Sequence, residues 1–463
     1  MTMKKSFSNL FFILGLSILS LLSACASDEL TKTPTGNAPV LEKMPLAPES
    51  QAEKLPGLDE NATLSDYLAY SALNNAGLKA AFLRWKAALE KITEVKSLPD
   101  PRFTYAYFIR EVETRVGPQR QKFGLSQTLP WLGTLKLRSH AASEAAQAEK
   151  QRYEAAKLKL FYQVKEAYYE YYYLARAIAV TQENLNLVRY AESVARTAYT
   201  AGATDHAGII RSQVELGKLE DRLRSLNDLR EPIVARLNAA LNRPTSVPLA
   251  WPRRAKVEAV AFTQDEVLAW LKENNPELRA VDFLAARERW NIDLAKKKHY
   301  PDMTLSLETI DTDEAEMAGV EDSGKNPVIA MLSINIPLWL KKYQSEERQA
   351  QARYRALVLE RSDQENRLEA DVKLVLYKYR DAERKIDLYK NTLTPKAEQS
   401  LRVNIQAYKA GKGTFLDVID AARTILDFQL ACERAFADRA QRFAELEMLV
   451  GMELPSKVEQ EIE

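Results

Sequence analysis

Segments with two different periods alternate along the chain. In residues 102–110 apolar side chains occupy every second position except at Phe108, and residues 122–129 show a similar alternation. Residues 303–308 and 328–336 repeat this arrangement in the second half of the chain. Alternation with period two places apolar side chains on one face of an extended segment. The pattern therefore predicts four strands, two in each half.

These predicted strands have the length of membrane strands. Each has about 8 to 11 residues, which is the span that a tilted transmembrane strand requires. The same pattern also fits soluble hairpins that pack against helices, so the alternation alone leaves both interpretations open. Because even an eight-stranded barrel is filled by side chains, four strands cannot enclose a pore. A channel built from them must be shared between subunits.

Two very long helices are predicted between the strands. Residues 132–200 contain no proline and only Gly133 near their start, and they would form roughly 100 Å of helix. Residues 339–410 are interrupted only by Pro395 and would span roughly 105 Å. Helices of this length are typical of a tube or a coiled-coil stalk rather than of a globular domain.

Four shorter helices are predicted at 63–96, 205–241, 264–298 and 414–450. The first and fourth together match one long helix in length, and so do the second and third together. We therefore expect each of these two pairs to stack end to end beside a long helix. The proline-rich joint 244–252 would lie outside the stack.

Short sequence matches show that the chain contains a duplicated unit. They recur about 200 to about 209 residues apart. The matched segments are 73–78 with 273–278, 99–100 with 301–302, 129–131 with 336–338, and 199–202 with 408–411. Each copy has the order strand, strand, long helix, turn, helix. We expect a first repeat at 58–243, an equatorial connector at 244–262, a second repeat at 263–452 and a C-terminal tail at 453–463.

Charge and composition exclude several functions. The chain has 65 Lys and Arg against 64 Asp and Glu, so it lacks the basic footprint of a protein that binds nucleic acid. Its three histidines lack ligand spacing, and we expect no metal site. The sequence has no nucleophile elbow and no catalytic carboxylates on a Gly-rich loop, so we expect no enzyme and no cofactor apart from a covalent lipid.

That lipid is indicated by the N-terminal segment. Lys4 and Lys5 precede the apolar stretch 10–22, and the sequence Leu22-Ser23-Ala24-Cys25 resembles a bacterial lipobox. Residues 1–24 would then be a lipoprotein signal peptide, and Cys25 would carry the lipid. The alternative is an ordinary signal peptide that is cut nearby. The absence of aspartate after Cys25 favours the outer membrane. The proline-rich residues 25–57 are typical of an extended tether.

Taken in order, these features resemble the TolC-type outer-membrane efflux factors. The resemblance rests on the lipobox, the duplicated unit, the strand exit at 126–130, the turn at 408–411 and the segment 417–421 that follows it. It covers essentially the whole mature chain.

This resemblance implies a mainly α fold with membrane β-strands. Four strands from each subunit of a homotrimer would form a 12-stranded β-barrel in the outer membrane, continued by a periplasmic α-helical barrel. The implied partners are a periplasmic adaptor (membrane fusion protein), an inner-membrane pump and outer-membrane lipid. The protein would be the passive exit duct of a tripartite efflux pump, lipid-anchored and spanning the outer membrane with its body in the periplasm.

The same resemblance implies a periplasmic gate. Asp417 and Asp420 match the family's paired aspartates, and Tyr408 matches a tyrosine that holds the gate. Two positions depart from the family pattern, because Gly413 stands where an arginine is expected and Gly208 where an aspartate is expected. Without the resemblance, the two aspartates would be interpreted as ordinary solvated charges on a helix.

The turns between the helices are the predicted adaptor-docking tips. They consist of Gly202, Ala203, Thr204, Gly411, Lys412 and Gly413. Small residues there permit positive φ and close backbone approach, although any turn between helices needs the same.

A different class of function also fits the helices. A structural or adaptor lipoprotein could span the periplasm as a coiled coil without forming a pore. The alternating strands favour the duct, because an adaptor does not need four segments with apolar rows that face lipid.

Overall fold

The computed structural model describes residues 57–202, 206–252, 259–260 and 262–457. The predicted signal peptide, the lipidation site Cys25, almost all of the tether and the tip residues Ala203 and Thr204 lie outside the described residues. So do the end of the C-terminal tail and residues 253–258 and 261 of the connector.

The described residues contain ten α-helices and six strands. The helices are α1 Leu64–Asn74, α2 Ala76–Lys96, α3 Thr134–Thr200, α4 Ala207–Asp228, α5 Arg230–Ala240, α6 Gln264–Asn274, α7 Pro276–Lys297, α8 Leu340–Asp387, α9 Thr394–Lys409 and α10 Phe415–Val450. A π-helical segment, Leu388–Leu393, joins α8 to α9. The strands are β1 Arg102–Thr114, β2 Gly117–Leu129, β3 Ala259–Val260, β4 Met303–Thr312, β5 Val328–Ile334 and β6 Ser456–Lys457.

The four predicted strands form one antiparallel sheet. Its order is β1-β2-β4-β5, so pairing between β2 and β4 joins the hairpins of the two copies. Leu125 lies opposite both Phe103 of β1 and Leu307 of β4, while its neighbour Gly124 lies opposite Glu308. Because residues opposite each other share a face, the register collects apolar side chains on one face and polar side chains on the other. The predicted alternation is confirmed.

Apolar side chains on both edge strands of the sheet are exposed. Phe103 of β1 is 67% exposed and Leu332 of β5 is 65% exposed. On the opposite face Lys122 forms an ion pair with Glu308, and the Thr128 and Thr304 hydroxyls lie 3.0 Å apart. A sheet with one apolar and one polar face has the side-chain distribution of strands that separate lipid from an aqueous lumen.

The first long helix is continuous and the second is not. Helix α3 runs for 67 residues without interruption. The second copy changes to π-helix at Leu388–Leu393, immediately before Pro395 at the start of α9. Proline cannot donate the helical hydrogen bond and its ring crowds the preceding turn, so a local π segment accommodates it. Among the residues that the structure describes, no helix has both the length and the apolar character needed to cross a membrane.

Three of the predicted shorter helices are divided. The predicted helix 63–96 breaks at Asn75, 264–298 breaks at Asn275, and 205–241 breaks at Leu229. Each asparagine caps the second helix of its pair, since Asn75 Oδ1 accepts from the Leu78 amide and Asn275 Oδ1 accepts from the Glu277 and Leu278 amides. An N-cap residue has non-helical backbone angles, so the continuous helices predicted at 63–96 and 264–298 were wrong. At Leu229 the backbone keeps right-handed helical angles, with φ of -67° and ψ of -12°.

The predicted stacking partners were also wrong. The Asn75 Nδ2 amide donates to the Ala240 carbonyl at 3.1 Å, and Asn275 Nδ2 donates to the Leu449 carbonyl at 2.7 Å. The start of α2 therefore meets the end of α5, and the start of α7 meets the end of α10. The stacks form within each copy rather than between copies, because the asparagine satisfies terminal carbonyls that a helix leaves without partners. Helix length alone could not distinguish the two arrangements.

Candidate functional site

Two similar turns lie at the ends of the long helices. Gly202 follows α3 with φ of 71°, and Gly411 follows α9 with φ of 69°. The Gly202 amide donates to the Tyr199 carbonyl at 2.9 Å, and the Gly411 amide donates to the Tyr408 carbonyl at 3.1 Å. Left-handed glycine at this position is the usual end of a helix, because a side chain would be strained there. This explains why the Tyr-x-Ala-Gly sequence occurs twice.

The carboxylate of Asp417 caps the helix that follows the second turn. Its Oδ2 accepts hydrogen bonds from the Thr414 hydroxyl at 2.7 Å and from the Thr414 amide at 3.0 Å, while the Asp417 amide donates to Thr414 Oγ1 at 3.3 Å. This is a capping box, and Thr-x-x-Asp before an apolar run is its sequence signature. The side-chain and backbone hydrogen bonds from Thr414 lower the pKa of Asp417. The sequence interpretation assigned Asp417 to the gate and missed this local role.

Asp420 belongs to a different group of charges. Its Oδ1 accepts from Arg423 Nη1 at 3.3 Å on the same helix, α10. Arg423 also donates through Nη2 to Glu215 Oε2 of α4 at 2.5 Å. Glu215 is buried and Asp420 is exposed, so one guanidinium connects an internal carboxylate to a surface carboxylate. The hydrogen bond with Glu215 is the largest cause of the raised pKa of Arg423.

Tyr408 is packed between two helical hairpins, the one formed by α3 and α4 and the one formed by α9 and α10. It is buried, and its ring meets the Phe415 ring edge to face, with centroids 5.3 Å apart. Phe415 in turn packs on Gly208 of α4, where an added Cβ would lie 3.2 Å from Phe415 Cγ. The aspartate that the family pattern predicts at position 208 would crowd this ring. Gly413 is similarly confined, since a Cβ there would lie 3.1 Å from the Ala407 Cβ.

Another polar contact connects the second turn to α3. Lys409 Nζ donates to the Tyr190 hydroxyl at 3.1 Å and lies 5.6 Å from the centre of the same ring.

Within the described residues, no group of three or more His, Cys, Asp or Glu side chains could hold a metal ion.

Thus the structure places Asp417, Asp420 and Tyr408 near one turn but gives them different contacts. Sequence reasoning missed Arg423, Glu215 and Phe415. Arg423 could have been suggested by its spacing of three residues from Asp420 on a helix. Glu215 carries no such signal, because it lies 208 residues away in sequence.

The duplicated fold and these turns define a class of membrane channel. A family profile described as "Outer membrane efflux protein" matches residues 68–243 and 267–452. The chain belongs to this family. It is the outer-membrane channel component of a tripartite efflux pump, with its body in the periplasm. The expected fold class, in which a duplicated unit contributes to a β-barrel continued by an α-helical barrel, is confirmed. Members of this family are channel and transport proteins.

Relatives and solved structures agree with this assignment. The chain is 22% identical over 419 residues to Nodulation protein T of Rhizobium leguminosarum bv. trifolii, and the match covers 84% of this chain and 85% of that protein. VceC of Vibrio cholerae superposes with a TM-score of 0.69 at 16% identity, covering 85% of this chain and 97% of VceC. The open state of the Neisseria gonorrhoeae MtrE channel gives a TM-score of 0.67 at 20% identity, covering 84% of this chain and 89% of that chain.

Proposed function

We propose that the turn between α9 and α10 is the periplasmic gate of a homotrimeric efflux duct, and that contacts within each protomer hold it closed. The observation that carries this proposal is the double hydrogen bonding of Arg423, which connects Asp420 on α10 to Glu215 on α4. These helices belong to different copies of the repeat. Releasing Arg423 would remove the charged link between the second-copy hairpin and the first and favour their separation.

Packing at the same turn supports the proposal. The contact of Phe415 with Gly208 and Tyr408 brings α4, α9 and α10 together beside the charged group. Neither glycine at position 208 nor glycine at position 413 can form the side-chain contact that the family pattern places there. In this chain the ion pair between Arg423 and Glu215 takes that role.

The exposed carboxylates would act on the ions that pass. In a homotrimer, three copies of Asp420 and three of Asp417 would surround one axis, and like charges close together attract cations. Asp420 is the stronger candidate for a side chain that faces the lumen, since its carboxylate accepts one long hydrogen bond, from Arg423 at 3.3 Å, whereas the Asp417 carboxylate accepts two shorter ones from Thr414.

Docking and anchoring complete the proposed assembly. The turns at Gly202 and at residues 411–413, together with Ala203 and Thr204, would contact a periplasmic adaptor that couples the duct to an inner-membrane pump. The lipid on Cys25 would anchor the mature chain in the outer membrane. Support for these partners comes from the membership of the chain in the efflux family.

Conductance in planar bilayers tests the gate. We expect the full-length protein to conduct weakly and the Arg423→Gln variant to conduct several-fold more, because the hairpins separate. Arg402→Gln is the matched control, since Arg402 is also exposed and lies on the neighbouring helix α9. Equal conductance of the Arg423→Gln variant and the unmodified protein would contradict the proposed latch.

Block by multivalent cations tests the carboxylates separately. Replacing both Asp417 and Asp420 with Ala should weaken the block, and Asp420→Asn alone should account for most of the loss. An unchanged block in the double variant would remove both residues from the permeation path. Because channel formation is measured in the same experiment, failure of the carboxylate assignment is distinguishable from failure to form a duct.

A further inference from the structure

A basic and aromatic surface lies where the sheet meets the helices. Trp131, which follows β2, stacks on Tyr300, which precedes β4, with ring centroids 5.0 Å apart. The Trp131 amide also donates to Asp302 Oδ1 at 3.0 Å. These contacts bring the strand exit of the first copy against the strand entry of the second copy. Both lie beside the pair formed by Leu129 and Met303 at the end of the sheet.

Large apolar side chains at this junction are open to the surroundings. The exposed group consists of Leu132, Ile336, Leu338, Trp339 and Leu340. Leu132 is 76% exposed and Trp339 is 75% exposed. These side chains extend the exposed apolar character of the sheet towards the helices. An amphipathic tryptophan at such a boundary is typical of the interface between lipid and water.

Basic residues lie close in sequence to these apolar residues and to Tyr300. We call the following group the basic collar: Lys136, Arg138, Lys296, Lys297, Lys298, Lys341 and Lys342. Within the three segments 131–138, 296–302 and 336–343, the single carboxylate is Asp302. Acidic residues in the same three segments are therefore too few to neutralise the positive charge of the basic collar.

Only part of the positive charge of the basic collar is compensated by contacts with carboxylates or aromatic rings. Lys296 pairs with Asp293 at 3.0 Å and Lys298 pairs with Glu346 at 2.8 Å. Lys297 Nζ lies over the Tyr300 ring, and Lys342 Nζ lies over the Tyr343 ring. Among the described residues, no carboxylate forms a salt bridge with Lys136, Lys341 or Lys342.

The opposite end of the sheet has the opposite charge. The loop between β4 and β5 contains Asp313, Glu314, Glu316, Glu321 and Asp322 against the single lysine Lys325. The sheet therefore has acidic residues at the end that carries the β4–β5 loop and lysines at the end that meets the helices. Since the body of the chain lies in the periplasm, that end faces the periplasmic leaflet.

We propose that the basic collar binds the headgroups of anionic phospholipids in the periplasmic leaflet of the outer membrane, with the acyl chains against the exposed Leu132 and Trp339. Lysine next to a membrane surface attracts anionic lipid, and the exposed apolar side chains distinguish a lipid from a small soluble anion. Such contacts would fix the depth of the barrel in the membrane. This inference rests on the outer-membrane location of the family and is independent of the gate proposal.

The native tryptophans provide the test. Full-length protein is reconstituted in phosphatidylcholine vesicles that contain either brominated phosphatidylglycerol or brominated phosphatidylcholine at equal mole fraction. Bromine quenches tryptophan fluorescence on contact, and Trp131 and Trp339 lie in the junction. We expect stronger quenching by phosphatidylglycerol at low salt, with a selectivity of roughly fivefold for each lysine that contacts a headgroup, and a smaller difference at high salt.

Matched variants connect this selectivity to the basic collar. The triple variant K136Q/K341Q/K342Q should lose the excess quenching by phosphatidylglycerol, and the single variant K341Q should lose part of it. The control K218Q/K373Q/K396Q removes three exposed lysines that lie outside the basic collar and should keep the full excess. Equal quenching by the two lipids in the unmodified protein, or an unchanged excess in the triple variant, would overturn the proposal.

A competition experiment distinguishes lipid from a soluble anion. Inorganic phosphate is compared with chloride at the same ionic strength. We expect the two salts to reduce the excess quenching equally, because screening alone acts on a lipid headgroup. If phosphate specifically abolishes the excess, the collar binds free phosphate and the lipid proposal is wrong.

Discussion

The ring of Phe415 packs directly on Gly208, so that a Cβ at position 208 would lie 3.2 Å from Phe415 Cγ. Phe415 begins the last helix of the second copy, and Gly208 lies in the first turn of the corresponding helix of the first copy. The two copies therefore differ here for a steric reason. The second copy supplies the ring and the first copy supplies the space.

Introducing a side chain at Gly208 should disturb the turn. We expect Gly208→Asp to destabilise the protein by about 1–3 kcal/mol, because overpacking forces Phe415 out of its position. Thermal unfolding of the reconstituted protein measures this effect. Gly217→Asp on the same helix is the matched control, since nothing lies within 4 Å of a Cβ at that position. Rescue of Gly208→Asp by Phe415→Leu would establish the contact, and equal costs for positions 208 and 217 would contradict it.

The ion pair between Arg423 and Glu215 should be strongly coupled. Arg423→Gln leaves the buried Glu215 carboxylate without its partner, and we expect a cost of about 1.5–3 kcal/mol. The double variant with Glu215→Gln should cost less than the sum of the two single variants, because the buried Glu215 charge is then absent rather than left without its partner. A double-mutant cycle from denaturant unfolding gives the coupling energy. Additive effects would show that the two side chains do not interact.

Acid should weaken the first turn of α10. The pKa of Asp417 is lowered by its hydrogen bonds from Thr414, so the ionised form stabilises the fold. That stabilisation is present above the ordinary pKa of 3.8 and is lost as pH falls through the lower pKa of the folded protein. We expect amide hydrogen exchange at residues 415–418, corrected for the intrinsic pH dependence, to accelerate in this range.

Thr414→Ala provides the control for this pH dependence. It removes the hydroxyl that donates to Asp417, and its effect on the free energy of unfolding should be about 1 kcal/mol. The variant should show faster exchange already at neutral pH and a smaller further change on acidification. An acid response that is identical in the variant and the unmodified protein would mean that another group is responsible.

Asn275 should stabilise the protein in two separate ways, through its side-chain oxygen as an N-cap and through its side-chain amide as a donor to the Leu449 carbonyl. Asn275→Ala removes both the N-cap of α7 and the amide that satisfies the Leu449 carbonyl, and we expect a loss of about 2–4 kcal/mol. Asn275→Ser retains a capping oxygen but lacks the amide, so its cost should be clearly smaller. Thermal unfolding compares the two variants. Equal costs would indicate that the cap contributes nothing.

The repeated asparagines also show what a sequence motif leaves undetermined. Asn75 and Asn275 occur in matched segments, which is evident from the sequence. Their capping role could have been predicted from residue type and position. The carbonyl that each amide contacts could not, because Ala240 and Leu449 lie 165 and 174 residues away. This is why the predicted stacking partners were wrong although the helices themselves were largely right.

Local chemistry of the chain determined its strands, its long helices and its turns. Alternation fixed the faces of the sheet, glycine after a helix fixed the turns at Gly202 and Gly411, and Thr414 with Asp417 fixed the start of α10. Each of these depends on residues within a few positions of one another. The tertiary structure decided which helix ends meet, why Gly208 replaces an aspartate and which carboxylate Arg423 binds. Those contacts join residues far apart in sequence, and only packing of the two copies against each other brings them within bonding distance.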